Sequence, residues 1–242
     1  MTFGNVLDFL WPRYCAGCGR PVDRPCGHFC SECLDRLPFV PTQGLCRRCG
    51  RDTGDLDVEY QCIDCRGRHP PHYDRAGSAL RFDGKAREII NAFKFRRAFF
   101  LRNDFADFLS AAARVRFKVD EIDFVSEIPA TRQHRFLRGY NPAGILADAM
   151  ASRLNKPRLK SLRRIGSPKR QGGLDEESRH ENVKGTFAVR GNSVKVKLVG
   201  RTILLVDDIM TTGATFSEAA KTLKAVGAKR VWTLSLARSV RY

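Results

Sequence analysis

Two adjacent carboxylates are followed by a short, hydroxyl-rich loop near the carboxyl end of the chain. Asp207 and Asp208 come directly after an apolar run, and residues 211–215 read TTGAT. An ionised carboxylate can accept two hydrogen bonds from a vicinal diol, whereas hydroxyls and the first backbone amides of a helix bind phosphate. A ribose 5-phosphate meets both conditions, so this stretch predicts a site for such a ligand.

The surrounding sequence predicts a strand, a loop and a helix in that order. Residues 203–206, ILLV, form a short and continuously apolar run, which is typical of a parallel strand buried on both faces. Apolar residues then recur at helical spacing, at Phe216, Ala219, Ala220 and Leu223. The carboxylates therefore lie where a strand ends, and the threonines lie where a helix begins.

The loop residues have separate expected roles. Gly213 and Ala214 let the backbone approach an anion closely. Three hydroxyls add hydrogen-bond donors, those of Thr211, Thr212 and Thr215. The alternative is an ordinary strand-to-helix turn in which Asp208 or Thr212 only caps the helix.

Eight of the nine cysteines form four Cys-x-x-Cys pairs, which are Cys15/Cys18, Cys30/Cys33, Cys46/Cys49 and Cys62/Cys65. Tetrahedral zinc takes four soft ligands, so two pairs complete one closed site and four pairs complete two. An odd number of cysteines and the lack of a basic leader argue for metal rather than disulfides. Because a closed shell of four sulfurs has no open position for substrate, we expect both zinc ions to be structural.

The pairing of the cysteines has two solutions. We expect sequential sites, in which the first two pairs share one ion and the last two share the other. Cross-bracing, in which the first and third pairs share an ion, is the alternative. Cys26 and His28 remain over; either can replace a ligand of the first site, but the four pairs already complete two sets, which favours two packed spare residues.

A basic loop and a basic helical region lie between the cysteines and the aspartates. Asp123–Ile128 predicts a strand and Pro129–Asn141 the loop after it, which gathers Arg132, Arg135 and Arg138 and contains Gly139. A solvated basic loop is the alternative to a binding role. Lys85–Ala113 predicts a long helical region. In it, residues 94–102 interleave basic and aromatic side chains, which fits a nucleic-acid surface, although such phenylalanines more often form core.

The remaining segments complete the expected architecture. They are a short amphipathic helix over Phe3–Trp11, an extended segment over Tyr73–Phe82, a helix over Asn141–Leu154, a mobile flap or exposed crossover over Lys156–His180, a strand pair at Thr186–Val189 and Val194–Leu198, and a final strand at Val231–Leu236. Alternating strands and helices predict an α/β domain with a mainly parallel sheet, whose ligand site lies at the carboxyl ends of the strands. The expected domains are residues 1–72, rich in cysteine, and residues 73–242.

The aspartate motif resembles the signature of the type I phosphoribosyltransferases, which it matches at Asp207, Asp208, Thr211, Thr212, Gly213 and Thr215. A double zinc ribbon before such a domain is similar to the competence protein F (ComF) family. That resemblance spans essentially the whole chain and includes Lys94, Phe95, Arg138, Gly139, Tyr140, Asn141, Gln171, Arg179, Asn182, Gly185 and Phe187. One departure is Pro142, where the family usually has glutamine.

The resemblance implies a type I phosphoribosyltransferase fold that binds phosphoribosyl pyrophosphate (PRPP) with Mg²⁺. Asp207 and Asp208 would hold the ribose hydroxyls, residues 211–215 the 5-phosphate, and Arg138 with the Gly139 backbone the pyrophosphate; with the aspartates, Arg138 would be the catalytic group. Members are associated with uptake of single-stranded DNA in natural transformation, which makes DNA and other competence proteins candidate partners. Salvage of the hypoxanthine-guanine kind is disfavoured, since Thr211 and Ala214 stand where those enzymes have an aspartate base and a lysine.

Two functions therefore stay open from the sequence. One is a PRPP-binding protein that handles single-stranded DNA, and the other is an active phosphoribosyltransferase with an unknown acceptor and no DNA role. The formal net charge of +17 supports a polyanionic partner but carries no information on fold or specificity. No apolar run reaches membrane-spanning length, so we expect a cytoplasmic protein without membrane insertion.

Overall fold

A computed structural model of the protein describes residues 13–22, 27–54, 61–67, 70–166 and 183–239. Its strands are β1 Arg75–Arg81, β2 Phe124–Glu127, β3 Leu162–Arg164, β4 Phe187–Val189, β5 Thr202–Met210 and β6 Arg230–Arg238. Its helices are α1 Ser31–Asp35, α2 Ile63–Arg66, α3 Gly84–Phe95, α4 Arg102–Arg116, α5 Arg132–Arg138, α6 Pro142–Leu154, α7 Asn192–Leu198 and α8 Ala214–Lys224.

Four parallel strands form the main sheet in the order β1, β6, β5, β2. Its two faces are buried, because Leu204 and Val206 of β5 point into one apolar cluster while Ile203 and Leu205 point into another. Residues of α3, α4 and α6 belong to the first apolar cluster, and residues of α8 belong to the second apolar cluster. This confirms the expected α/β fold, and the buried run explains why the central strand lacks a polar alternation. A separate antiparallel pair joins β3 and β4.

Both edges of the main sheet are covered by neighbouring chain. At the β1 edge, the amide of Val40 donates to the carbonyl of Ala79 (2.9 Å), and that of Arg81 donates to Pro38 (2.8 Å). At the β2 edge, Leu159 donates to the carbonyl of Val125 (2.9 Å). An unpaired edge strand invites association with other chains, and the cysteine-rich region removes that hazard at β1.

The long helical region is interrupted where the sequence predicts a single stretch. Arg97 has a left-handed backbone (φ 56°) between α3 and the short 3-10 turn at Phe99–Leu101 that leads into α4. Phe93 and Phe105 are fully buried, while Phe95 and Phe100 are 60% and 52% exposed. The core interpretation of these phenylalanines therefore holds for some and fails for others.

Two other segments differ from expectation. The strand predicted over Val194–Leu198 is wrong: Asn192–Leu198 is a helix, in which Val196 is 75% exposed and only Leu198 is fully buried. Alternation of apolar and polar residues favours a strand only where a neighbouring strand pairs with it, and β4 pairs with β3 instead. Pro129–Asn141 is not a continuous loop, since it contains α5.

Several expectations fall outside the described residues. These are the amphipathic helix over Phe3–Trp11, Cys26, and most of the proposed flap with Gln171, Arg179 and Asn182. The described part of the flap region includes β3. Among the helices that the structure describes, none is both long and apolar enough to cross a membrane. The boundary at residue 72 stays a prediction.

Candidate ligand site and metal centres

The aspartate pair lies inside β5, close to its carboxyl end, rather than in the loop after it. The amide of Asp208 donates to Asp207 Oδ1 (2.8 Å), which fixes the first carboxylate against the backbone. Asp208 is buried, and its Oδ1 lies 3.2 Å from Nζ of Lys94 at the end of α3. This long-range ion pair joins the end of α3 to the carboxyl end of β5, which carries the motif.

The two carboxylates differ in their electrostatic setting. Burial raises the pKa of Asp207, and the neighbouring charge of Asp208 raises it further; the Asp208 amide, Lys94 and Arg164 act in the opposite direction. A carboxyl group in such a setting is easily protonated in the free protein and gains from any ligand that brings positive charge or hydroxyl donors. The raised pKa of Asp207 therefore makes its protonation sensitive to a ligand bound beside it.

The loop after β5 opens α8 in the way an anion site requires. Gly213 has a left-handed backbone (φ 84°), and the Ala214 amide donates to Thr212 Oγ1 (3.2 Å). By helix geometry the amides of Thr215 and Phe216 also have no acceptor inside the helix. These groups and the positive end of the helix dipole fit the phosphate site that the sequence predicts.

The basic segment begins with a capped helix. Thr131 Oγ1 accepts from the amide of His134 (3.1 Å) at the start of α5, and Gly139, with φ 76°, ends it. The six residues from 132 to 137 are all exposed. The arginines therefore lie on a short helix before the predicted pyrophosphate loop.

Contacts on both sides of Gly139 connect that loop to the aspartates. The hydroxyl of Tyr140 donates to the carbonyls of Phe93 (2.8 Å) and Lys94 (2.9 Å), and Asn141 Nδ2 donates to the carbonyl of Ile128 (3.0 Å) at the end of β2. The guanidinium of Arg138 lies 4.4 Å from the ring centre of Phe95. The loop, the end of α3 and the end of β5 therefore form one continuous surface at the carboxyl edge of the sheet.

Sequence reasoning named no role at this site for Lys94 and Arg164. Arg164 stacks over Phe187 (5.0 Å), its charge acts on Asp207, and its buried Nε has no hydrogen-bond partner among the described residues. Lys94 is part of the family resemblance, but nothing local in the sequence connects either residue with the aspartates, because each reaches the site from a distant segment. Thr211, which the sequence assigns to the phosphate loop, lines a cavity of about 350 Å³ together with Arg81, Arg238 and Ser239.

The cysteines assemble in the sequential arrangement. One cluster holds Cys15, Cys18, Cys30 and Cys33, the other Cys46, Cys49, Cys62 and Cys65, and in each the sulfurs lie within 4.8 Å of one another. The Sγ atoms of Cys18 and Cys30 are 3.8 Å apart and those of Cys49 and Cys62 are 3.6 Å apart. Four sulfurs at about 2.3 Å around tetrahedral zinc are separated by about 3.8 Å, whereas a disulfide needs about 2.05 Å.

Backbone donors complete both clusters. The amide of Cys30 donates to Sγ of Cys15 (3.3 Å) and that of Cys62 to Sγ of Cys46 (3.3 Å). Such donors stabilise thiolates, so the residues fit two structural zinc sites. His28 is not a ligand of either cluster: its Nδ1 lies 2.9 Å from Oδ2 of Asp104 in α4.

Two family models match the sequence. The sequence model of the double zinc ribbon domain matches residues 6–66, and that of the phosphoribosyl transferase domain matches residues 139–240. The chain is 32% identical over 211 residues to competence protein ComFC of Streptococcus pneumoniae, a match that covers 86% of this chain and 87% of the relative.

Two further relatives extend the comparison. Competence protein F of Haemophilus influenzae is 26% identical, over 87% of this chain and 90% of its own length. The DNA utilization protein YhgH of Escherichia coli K12 is 26% identical, over 95% of this chain and 98% of its own. The aspartate motif, the two four-cysteine clusters and these full-length matches establish that the chain belongs to the competence protein F (ComF) family.

Proposed function

We propose that this protein binds PRPP with Mg²⁺ at the carboxyl edge of the main sheet. The observation that supports this most is the convergence of the aspartate pair, the amino terminus of α8 and the Gly139 loop at that edge. Asp207 and Asp208 accept hydrogen bonds from the ribose hydroxyls, and the first amides of α8 hold the 5-phosphate. Arg138, the Gly139 backbone and Lys94 face the pyrophosphate.

Mg²⁺ would be held mainly by the ligand and would neutralise charge on its pyrophosphate. The chain supplies positive charge there from Lys94 and Arg138, and Asp208 keeps Lys94 in place (3.2 Å). Arg164, with a buried Nε that lacks a partner in the described part of the chain, is a further donor for a ligand oxygen. These groups position the ligand and balance its charge, which are the contributions that pyrophosphate departure requires.

We further propose that the protein handles single-stranded DNA, since its relatives are a DNA utilization protein and two competence proteins. Exposed rings lie among arginines around the break between α3 and α4 and on α5: Phe95 (60%), Phe100 (52%) and Phe136 (89% exposed). Exposed aromatic rings can stack on bases while neighbouring arginines bind phosphates. An active transferase with an unknown acceptor and no DNA role is the second candidate, which the same PRPP site favours.

Calorimetric titration with PRPP and Mg²⁺ tests the ligand. We expect saturable binding by the wild type and a loss of at least about tenfold in affinity for Asp207→Asn and for Asp208→Asn. Asp107→Asn is the matched control, because Asp107 is 60% exposed and pairs with Arg153 on another face. Absence of binding by the folded wild type would refute the proposal.

Two assays separate the candidate functions. Pyrophosphate release from PRPP across a panel of bases and amines detects a transferase, and anisotropy of a labelled oligothymidine detects DNA binding. For DNA we expect log K to fall linearly with log salt, and Phe136→Ala to weaken binding more than Val196→Ala. Val196 suits the comparison because it is 75% exposed on another basic helix. Turnover without DNA binding at physiological salt would favour the second candidate.

A further inference from the structure

The second four-cysteine cluster lies directly behind the predicted phosphate loop. Its cysteines share one buried cluster with Tyr73, with Met210 at the end of β5 and with Phe216 in the first turn of α8. The second group of cysteines and the elements that bound the loop therefore belong to the same apolar core.

Tyr73 is the residue of this core that lies against the loop. It is 2% exposed, and a Cβ at Gly213 would lie 3.0 Å from its hydroxyl and 2.7 Å from Cε of Met210. The loop backbone at Gly213 therefore lies against the Tyr73 side chain, whose ring carbon Cε1 would be 3.6 Å from that Cβ. In a close-packed interior such a contact fixes the position of the backbone.

Two further polar contacts, made by Arg238 and by His72, connect the same part of the structure. Arg238 is buried, donates to the carbonyl of Cys49, and lies 3.7 Å from Sδ of Met210. The amide of His72, next to Tyr73, donates to Oγ of Ser217 in the first turn of α8 (3.0 Å). Cys49 is thus connected through Arg238 to the end of β5, and the segment of Tyr73 is connected through His72 to the start of α8, the two elements that bound the loop.

The second cluster is also docked tightly on the sheet. The amide of Ala76 in β1 donates to the carbonyl of Arg48 (2.7 Å), and a Cβ at Gly50 would lie 2.6 Å from the carbonyl oxygen of Ala76. The first cluster sits elsewhere, because its neighbour Phe29 packs against Phe108 of α4 with ring centres 5.7 Å apart. The two metal centres therefore have different neighbours and serve as controls for each other.

We propose that Tyr73 is a positioning residue for the phosphate loop, and that the second zinc centre keeps Tyr73 in place. This inference rests on the proposed binding of PRPP. Loss of metal from Cys46, Cys49, Cys62 and Cys65 frees Tyr73, and the amides of residues 213–216 lose the alignment that phosphate binding needs. The same loss at the first centre leaves the loop intact, so the two metal sites are functionally unequal.

Substitutions at Tyr73 test the inference without touching a metal ligand. We expect Tyr73→Leu to raise the calorimetric Kd for PRPP with Mg²⁺ by at least about tenfold and to speed amide hydrogen exchange in residues 211–216. Tyr73→Phe keeps the ring and should change the Kd by less than about threefold. Phe29→Leu is the matched control, since Phe29 is equally buried (1% exposed) beside the first cluster.

A second comparison uses the metal sites themselves. Cys62→Ser and Cys18→Ser should each lower the zinc content, and we expect the increase in Kd to be at least about tenfold larger for Cys62→Ser. Equal effects of the two substitutions, or equal effects of Tyr73→Leu and Phe29→Leu, would overturn the inference. If Cys62→Ser fails to fold, the Tyr73 series decides alone. A wild type that binds no PRPP refutes instead the proposed function.

Discussion

At the scale of single residues, the most informative group is the carboxyl of Asp207. Its pKa is raised by burial and by Asp208, so its protonated form is favoured in the free protein. A ribose diol binds better to the ionised form, which accepts its hydrogen bonds. Binding of the ligand therefore competes with the proton on Asp207.

We predict that PRPP affinity rises with pH above 7, across the raised pKa of Asp207, and that binding releases a proton. Titrations in two buffers with different ionisation enthalpies measure that release. Phosphate groups titrate near pH 6, so Asp207→Asn serves as the control: it should bind weakly and lose the pH dependence. The same slope in wild type and variant would contradict the assignment.

The stability of the free protein should fall as pH rises through the pKa of Asp207, whereas the affinity for PRPP should rise. A group whose pKa is raised by folding stabilises the protein fully below its unfolded pKa, and that contribution is lost as pH rises through the folded pKa. Asp207→Asn should therefore raise the melting temperature relative to wild type at pH 8 and change it less at pH 4. A variant that is less stable than wild type at pH 8 would show that the carboxylate is better compensated than its burial indicates.

At the scale of elements, the sequence predicts those whose signal is local and continuous. The run before Asp207 predicts β5, the periodicity after Gly213 predicts α8, and the cysteine spacing predicts the two clusters, which the grouping of four sulfurs in each confirms. The sequence does not predict helix α5, because this helix buries no residue and only Thr131 at its start and Gly139 at its end mark it. The sequence does not predict the ion pair between Lys94 and Asp208, because the two residues are far apart in the chain.

The loop between β5 and α8 yields a prediction of its own. Gly213→Ala places a Cβ 3.0 Å from the hydroxyl of the buried Tyr73 in a left-handed backbone (φ 84°), which should cost about 2–4 kcal/mol in the free energy of unfolding. Gly200→Ala is the control: Gly200 has φ 71° and nothing within 4 Å of the added atom, so only the backbone strain of about 1–2 kcal/mol applies. Urea denaturation measures both, and equal losses would exclude a close approach at Gly213.

At the scale of the whole molecule, the cysteine-rich region acts as part of the fold around the sheet. It supplies the cover of the β1 edge through Pro38 and Val40, and each cluster reaches a different apolar layer. His28 joins the first cluster to α4, since its amide and its ring both contact Asp104, at 2.8 and 2.9 Å. Attachment of this region therefore depends on a few buried polar contacts as well as on apolar packing.

The Asp104 contact can be measured directly. Asp104 is 8% exposed, so Asp104→Ala leaves the His28 amide without its acceptor and should lower the free energy of unfolding by about 1–3 kcal/mol. Asp107→Ala, one turn further along α4, removes an exposed ion pair and should cost about 0–1 kcal/mol. Similar losses of unfolding free energy for the two variants would show that the contact between His28 and Asp104 does not hold the first cysteine cluster against α4.

Removal of metal tests how far the fold depends on both clusters. Eight thiolates in two closed sets predict two zinc ions per chain, and structural zinc supplies folding free energy directly. Incubation with a strong chelator should therefore lower the melting temperature and release both ions. The β1 edge should then become available for association, so chelated protein should also form larger species in light scattering. Readdition of zinc under reducing conditions should reverse both changes, and an unchanged melting curve after complete loss of zinc would refute a structural role for the metal.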